Sequence, residues 1–69
     1  MNTFASWYGL LHYLERHENI VYYQAPMDRY PCMVVVSKVF KNGKLRIKYH
    51  DMAFTADRGH LDRFRYKDM

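Results

Sequence analysis

A β-hairpin signal in the middle of the chain constrains the fold more than any other feature. Asn42-Gly43 separates two runs of β-forming residues, and an Asn-Gly pair supplies the positive φ values that a type I′ turn requires. The run that follows, Lys44-Leu45-Arg46-Ile47-Lys48-Tyr49, alternates with period two, which places apolar side chains on one strand face and basic side chains on the other. The sequence therefore predicts an antiparallel hairpin with one apolar face and one basic face.

The strand before this turn, predicted over residues 32–40, changes phase along its length. Val34 and Val36 face one way, and strict alternation would next bury Lys38. The apolar pair Val39-Phe40 follows instead, so we predict a β-bulge near Ser37-Lys38 that returns Val39 to the inward phase. Bulges bend and twist a strand, as the curvature of a small barrel requires.

An amphipathic helix is predicted before the strands, within residues 1–18, with Thr3 as its N-cap. Its apolar residues recur at the three- and four-residue spacing of one helix face; they are Phe4, Trp7, Tyr8, Leu11 and Leu14. An aromatic stripe of this length is expected to pack on the sheet and to close one end of it.

The remaining pattern predicts short elements. They are strands at residues 20–24, 53–55 and 63–66, a loop at 26–31, a turn or single helical turn at 57–61, and a frayed tail at 67–69. Because 69 residues make one domain, we expect a single domain over 1–69. The predicted fold is mainly β (α+β), with an N-terminal amphipathic helix (1–18) and a small SH3-like antiparallel barrel (20–66). A three-stranded sheet capped by the helix is the main alternative.

Basic charge is concentrated in the second part of the chain. The formal net charge is +4, but residues 29–69 carry ten Lys and Arg against four Asp, a net of +6, and residues 29–50 contain no acidic residue. Such a block attracts anionic partners. The candidate phosphate-binding residues are Lys38, Lys41, Lys44, Arg46 and Lys48. The alternative is a solvated sheet face whose lysines prevent edge-to-edge aggregation.

Aromatic residues near the 26–31 loop are the candidate base-stacking groups. Tyr30 and one of Tyr22 and Tyr23 are expected to be exposed, because adjacent strand residues point to opposite faces. We expect Tyr30 or Tyr23 to stack on a base beside the basic face.

The helix offers a second kind of surface, for a protein partner. Trp7, Tyr8 and Leu11 are the candidate contact residues, since aromatic residues dominate the energetics of protein interfaces. Burial of Trp7 against the sheet would make the helix structural and leave the basic face as the leading site. Exposure of the stripe would favour an interface.

The sequence lacks the motifs of an enzyme, a metal site or a cofactor site. It contains no nucleophile elbow, no glycine-rich phosphate loop and no HExxH helix. Cys32 is the only cysteine, and the four histidines do not have a recognised metal-ligand spacing. The apolar runs are shorter than a membrane span and the N-terminus lacks the basic start of a signal peptide, so a cytoplasmic protein is expected. A homodimer stays open, because so short a chain can bury more surface by self-association.

The segment Phe54-Thr55-Ala56-Asp57, followed by Gly59-His60-Leu61-Asp62-Arg63-Phe64, carries a resemblance to known proteins. We expect Phe54, Leu61 and Phe64 to enter the core and Asp57 to cap the turn. With the upstream Pro31, the valine strand and Asn42-Gly43-Lys44-Leu45-Arg46-Ile47, the segment resembles small uncharacterised proteins of bacterial plasmids, integrative elements and phages. Its strand order is similar to that of Tudor or KOW-type SH3-like barrels. The resemblance covers residues 20–66, implies a barrel-like arrangement, and transfers no catalytic residue.

Two functional hypotheses follow for a non-enzymatic binding module. In the first, the chain associates with nucleic acid, DNA or RNA, through the basic sheet face. In the second, it is a mobile-element or phage protein that binds and modulates or inhibits a host protein complex, including one that handles nucleic acid.

Overall fold

The fold is mainly β, as predicted, and consists of one antiparallel sheet with one α-helix and one 3₁₀ helix. The computed structural model describes residues 1–67, and the predicted fraying of Asp68 and Met69 lies outside this range. The strands are β1 (Asn2–Thr3), β2 (Ile20–Tyr23), β3 (Cys32–Val39), β4 (Leu45–Tyr49), β5 (Met52–Ala56) and β6 (Phe64–Tyr66). The helices are α1 (Trp7–Arg16) and a 3₁₀ helix (Arg58–Arg63).

The six strands are ordered β1-β6-β2-β3-β4-β5 across the sheet, and every neighbouring pair is antiparallel. The alternative of a three-stranded sheet is therefore wrong. β1 and β5 are the edges of this sheet. The prediction had missed β1, whose two residues pair with β6 through Asn2–Tyr66 and Thr3–Arg65.

The β3–β4 ladder contains the predicted bulge. Val36 pairs with Ile47 and Lys38 pairs with Arg46, so Ser37 is the extra residue, and its hydroxyl donates to the Arg46 carbonyl at 3.2 Å. The inward phase resumes at Val39, which pairs with the buried Leu45. Val39 itself is half-exposed rather than buried, because it is the last residue of the strand and lies at the margin of the core.

The turn of this hairpin has a different geometry from the predicted type I′. The Phe40 carbonyl accepts from the Gly43 N–H at 2.9 Å, and the Phe40 N–H donates to the Lys44 carbonyl at 2.9 Å. Of Lys41, Asn42 and Gly43, only Gly43 has a positive φ, +87°. These contacts define a three-residue loop with a glycine bulge, in which only the glycine needs the left-handed conformation.

Helix α1 starts later than predicted. Ser6, and not Thr3, is its N-cap, and the Ser6 hydroxyl accepts from the Gly9 N–H at 3.0 Å. Thr3 is taken up by β1, because its backbone pairs with Arg65 on β6. Pairing of this strand with the sheet prevents the helix from extending to the N-terminus.

The buried face of α1 also differs from the predicted stripe. Trp7, Leu10 and Leu14 are buried, with the three- and four-residue spacing of one helix face. Leu10, absent from the predicted stripe, is fully buried, whereas Tyr8 is 70% exposed. With Trp7, Leu10 and Leu14 turned toward the sheet, the 3.6-residue period of the helix places Tyr8 on the side away from it.

The core lies between α1 and one face of the sheet. The sheet contributes eight buried side chains, Val21, Tyr23, Val34, Val36, Leu45, Ile47, Ala56 and Phe64. The Trp7 ring packs edge-on against Phe64, with centroids 5.8 Å apart. Its indole N–H donates to the Gly43 carbonyl at 2.7 Å and so ties the start of α1 to the β3–β4 turn. This hydrogen bond satisfies the polar atom of a buried tryptophan.

The segment between β5 and β6 follows the predicted order of strand, helical turn and strand. Asp57 caps the 3₁₀ helix by accepting from the Gly59 N–H at 2.9 Å, as expected. Phe64 is fully buried, and Phe54 and Leu61 pack partly buried against the core. Among residues 1–67, no helix has both the length and the apolar character needed to cross a membrane.

Candidate functional site

The sheet face opposite the core, here called the outer face, carries two adjoining groups of side chains. Antiparallel pairing places them on this face, because directly paired residues share a face and successive residues along a strand point to opposite faces. The first group, the apolar strip, consists of Ile20, Tyr22, Met33 and Val35 on β2 and β3. The second, the basic cluster, consists of Lys38, Arg46 and Lys48 on β3 and β4.

The basic cluster has no internal counter-charge. Lys38 lies directly opposite Arg46, and all three residues are exposed. None of them forms an ion pair with a carboxylate among residues 1–67. On the other side of β4, β5 supplies Ala53 opposite Lys48 and Thr55 opposite Arg46, neither of which is charged.

This arrangement costs stability. Like charges directly opposite each other across a strand pair are destabilising, by about 0.2–1 kcal/mol. Lys38 gains a partial compensation, because its ammonium lies 5.0 Å from the centre of the Phe40 ring. The cluster is therefore a positive surface that an anionic ligand would stabilise.

The apolar strip is uncovered on the β3 side. Met33 is 65% exposed and Val35 is 46% exposed. Tyr22 lies opposite Met33 and is half-buried. Val35 pairs on one side with Ile20 and on the other with Lys48, so the strip and the basic cluster form one continuous surface.

A groove of about 510 Å³ runs along the strip beside the C-terminal end of α1. Tyr13 forms its helix side, and Ile20, Tyr22 and Met33 form its sheet side. Two cations, Arg16 and Lys67, and one carboxylate, Glu18, lie at its rim.

The Tyr13 phenol and the Arg63 guanidinium have displaced pKa values. Burial raises the pKa of the Tyr13 phenol, and the neighbouring Tyr22 phenol raises it further. The Tyr13 phenol therefore stays neutral in the groove at physiological pH. Away from the groove, the Arg63 guanidinium donates to the Tyr23 hydroxyl at 3.4 Å, and this hydrogen bond raises the pKa of Arg63.

The structure brings together only part of the predicted phosphate-binding set. Lys38, Arg46 and Lys48 share the outer face, whereas Lys41 lies in the turn and Lys44 precedes the first residue of β4. Lys44 borders a groove with Arg58 of the 3₁₀ helix, at the turn end of the hairpin. These two turn lysines thus extend the positive surface past the end of the ladder.

Of the two tyrosines predicted to stack on a base, Tyr30 is exposed as expected and Tyr23 is not. Tyr30 is 76% exposed, but it precedes β3 whereas Lys38 lies near the end of that strand. β3 rises about 20 Å over the six residue steps from Cys32 to Lys38, so Tyr30 lies far from Lys38. Tyr23 is buried in the core and cannot stack on a ligand, so that expectation is wrong. Tyr22, its neighbour, is the tyrosine on the outer face, as the alternation of strand residues requires.

The three helix residues proposed to contact a protein partner also differ in their exposure. Trp7 is only 5% exposed and its N–H is bonded to Gly43, so it belongs to the core and is not a contact residue. Leu11 packs partly buried against the core. Tyr8 remains exposed, with its ring edge-on to His12 at 4.5 Å between centroids. By the criterion set from the sequence, the basic face is the leading site.

Sequence reasoning missed the apolar strip, although the signal was present. The run from Cys32 to Val36 is apolar throughout and does not alternate, which indicates a strand with two apolar faces. Only the inner face of this strand packs on α1. Among the residues that the structure describes, no three or more His, Cys, Asp or Glu side chains lie together as a metal site.

Comparison with known proteins found no relative of this chain. No family model, no curated protein and no solved structure matches the chain.

Proposed function

We propose that this chain is a small non-enzymatic module of the cytoplasm, with an SH3-like barrel architecture, that associates with nucleic acid through the basic cluster. The observation that carries the proposal is the direct opposition of Lys38 and Arg46, beside Lys48, with none of the three ion-paired to a carboxylate of residues 1–67. A nucleic-acid backbone presents regularly spaced negative charges to such a surface. Binding would release condensed counterions and stabilise the cluster at the same time.

The position of the cluster supports this function. The three cations project from paired strands whose opposite face is the core, so their spacing is held by the ladder rather than by a loop. Backbone contacts of this kind give affinity without sequence readout. We therefore propose a module that binds with little dependence on base sequence.

The test is a binding titration with charge reversal and a matched control. Arg46→Glu removes a central cation of the cluster and places a carboxylate opposite Lys38, which favours folding. Arg29→Glu changes the net charge by the same amount at an exposed position in the loop between β2 and β3, away from the cluster. Fluorescence anisotropy with a labelled oligonucleotide should show a loss on the order of tenfold for Arg46→Glu and a much smaller loss for Arg29→Glu.

Salt dependence provides a second readout of the same contacts. The affinity of the unaltered protein should fall steeply between about 50 and 200 mM salt, and Arg46→Glu should reduce the slope of log K against log salt by about one. Equal losses for the two variants, or no binding of DNA or RNA at low salt, would contradict the proposal.

One observation favours a second candidate, a mobile-element or phage protein that binds a host protein complex. Tyr8 is exposed on α1, on the side turned away from the core. A pull-down from host lysate, performed with and without nuclease, separates the two functions. A partner that is retained after nuclease treatment and lost with Tyr8→Ala would support this candidate, and one lost with nuclease would favour the first.

A further inference from the structure

The outer face carries both the apolar strip and the basic cluster, and a nucleic-acid duplex would contact only the basic cluster. A double-stranded nucleic acid offers its phosphates to the basic cluster, but its bases are stacked inside the helix and would leave the apolar strip in water. We propose that the ligand of this face is single-stranded nucleic acid, with unpaired bases on the apolar strip and phosphates on the basic cluster. This inference rests on the proposed function and names its substrate class.

The register places the two groups within reach of one strand of nucleic acid. Val35 lies directly opposite Lys48, about 5 Å away across the ladder. Met33 is two residues earlier on β3, about 7 Å along the same face. A base resting on Met33 and Val35 therefore has a cation beside it for its own backbone.

Tyr22 supplies the flat surface that stacking requires. Its position opposite Met33 puts an aromatic ring beside a flexible, polarizable thioether on the outer face. The groove between Tyr22 and Tyr13 extends this surface toward α1. Stacking on aromatic side chains tolerates any base, because every base has a π face.

Cations border the strip on both sides. Lys48 and Arg46 lie on the β4 side, and Arg16 and Lys67 lie with Glu18 at the rim of the groove on the helix side, where the net charge is still positive. A single strand that crosses β4, β3 and β2 would meet positive charge, then apolar surface, then positive charge again. This alternation matches the chemistry of a chain whose bases and phosphates separate when it is unpaired.

The same charges disfavour other occupants of the strip. A second copy of this chain packed symmetrically on the outer face would bring two basic clusters together, since a two-fold interface presents the same patch from both subunits. A protein partner would need an acidic rim around an apolar centre. Single-stranded nucleic acid supplies both the apolar and the anionic groups.

The test compares a single strand with a duplex of the same length. Anisotropy titrations use a labelled oligothymidylate of about 12 nucleotides, within the site sizes of small single-strand-binding folds, and a duplex formed by annealing it to its complement. The unaltered protein should bind the single strand about tenfold more tightly. Tyr22→Ala should lower single-strand affinity about tenfold and leave duplex affinity and the salt slope unchanged.

Three further variants keep the test independent of folding. Tyr8→Ala removes an exposed tyrosine on α1, on the side of the molecule away from the outer face, and should change neither affinity. Tyr22→Phe keeps the ring and should retain single-strand affinity. Met33→Glu, at a site 65% exposed, is expected to leave the fold intact, as a thermal melt would show, and to reduce single-strand affinity more than Tyr22→Ala because it adds a repelling carboxylate.

The outcomes separate this inference from the proposed function. Equal affinity for single strand and duplex, with no effect of Tyr22→Ala, would overturn the inference and leave the proposed function standing. Failure to bind either probe at low salt would overturn both. A dimer in sedimentation velocity that Tyr22→Ala dissociates would show that a second copy occupies the strip, and would also overturn the inference.

Discussion

The two faces of the sheet have similar side chains on β2 and β3 but different surroundings. Val34, Val35 and Val36 are consecutive valines, yet the first and third are buried while the second is half-exposed. On β2, Val21 and Tyr23 are buried, whereas the outer face carries Ile20 and Tyr22. Residue type therefore does not decide burial in these strands.

The covering elements decide it. Helix α1 and the partly buried Leu61 of the 3₁₀ helix pack on the inner face, and no element of residues 1–67 covers Met33 or Val35. The inner face is organised for stability, with apolar side chains packed together and no buried polar or charged residue. The outer face retains apolar surface and opposed cations that a purely structural sheet would not need.

The largest expected effect is on the inner face, at Leu10 of α1. Leu10→Ala should lower the free energy of unfolding by about 2–5 kcal/mol, because it leaves a cavity at a fully buried position. Tyr8→Ala, on the exposed side of the same helix, should change it by less than about 0.5 kcal/mol. Urea denaturation of both variants measures the difference. Similar values would mean that α1 does not cover the inner face as described.

A sharper comparison uses the neighbouring valines. Val34→Thr should destabilise by about 1–3 kcal/mol, because it buries a hydroxyl without a hydrogen-bond partner beside Val21. Val35→Thr makes the same chemical change on the outer face and should stay within about 0.5 kcal/mol of the unaltered protein. Thermal melts in one buffer suffice. A greater loss at Val35 than at Val34 would reverse the assignment of the two faces.

The smallest effect has the opposite sign and concerns the basic cluster. Lys38→Glu should raise the free energy of unfolding by about 0.2–1 kcal/mol, because it converts a like-charge pair with Arg46 into an opposite-charge pair. It should also weaken nucleic-acid binding. The stability gain should shrink at high salt as the charges are screened.

Lys41→Glu is the control for this variant, since Lys41 lies in the turn and has no cation paired opposite it. It should change stability less than Lys38→Glu. A destabilising Lys38→Glu would show that the lysine is held by favourable contacts, such as that with the Phe40 ring, and that the opposed charges cost nothing.

Features governed by neighbours in sequence could be predicted. The hairpin, the bulge at Ser37 and the cap at Asp57 each depend on contacts within a few residues or within one strand pair. The same holds for the opposite orientations of Tyr22 and Tyr23, which follow from the geometry of any strand. All three residues of the basic cluster, Lys38, Arg46 and Lys48, were among the predicted phosphate-binding residues.

Features that depend on contacts between residues far apart in the sequence could not be predicted. The short strand β1 forms because it pairs with β6, more than sixty residues later in the chain. This pairing is the reason why the helix is capped by Ser6 and not by the predicted Thr3. Trp7 packs on the sheet as the helix periodicity predicts, but its hydrogen bond to the Gly43 carbonyl, 36 residues away, does not follow from that periodicity.

The sequence by itself determined which residues alternate, where the chain turns and where its positive charge is concentrated, because these properties follow from local backbone geometry and composition. Only the tertiary structure decided which face of β2 and β3 is covered by α1. It therefore also decided which apolar residues remain beside the basic cluster. A sheet face becomes buried only when a second element packs on it. In this chain the buried residues of α1 all pack on the inner face; they are Trp7, Leu10 and Leu14. The outer face, with its uncovered strip and unpaired cations, follows from that packing.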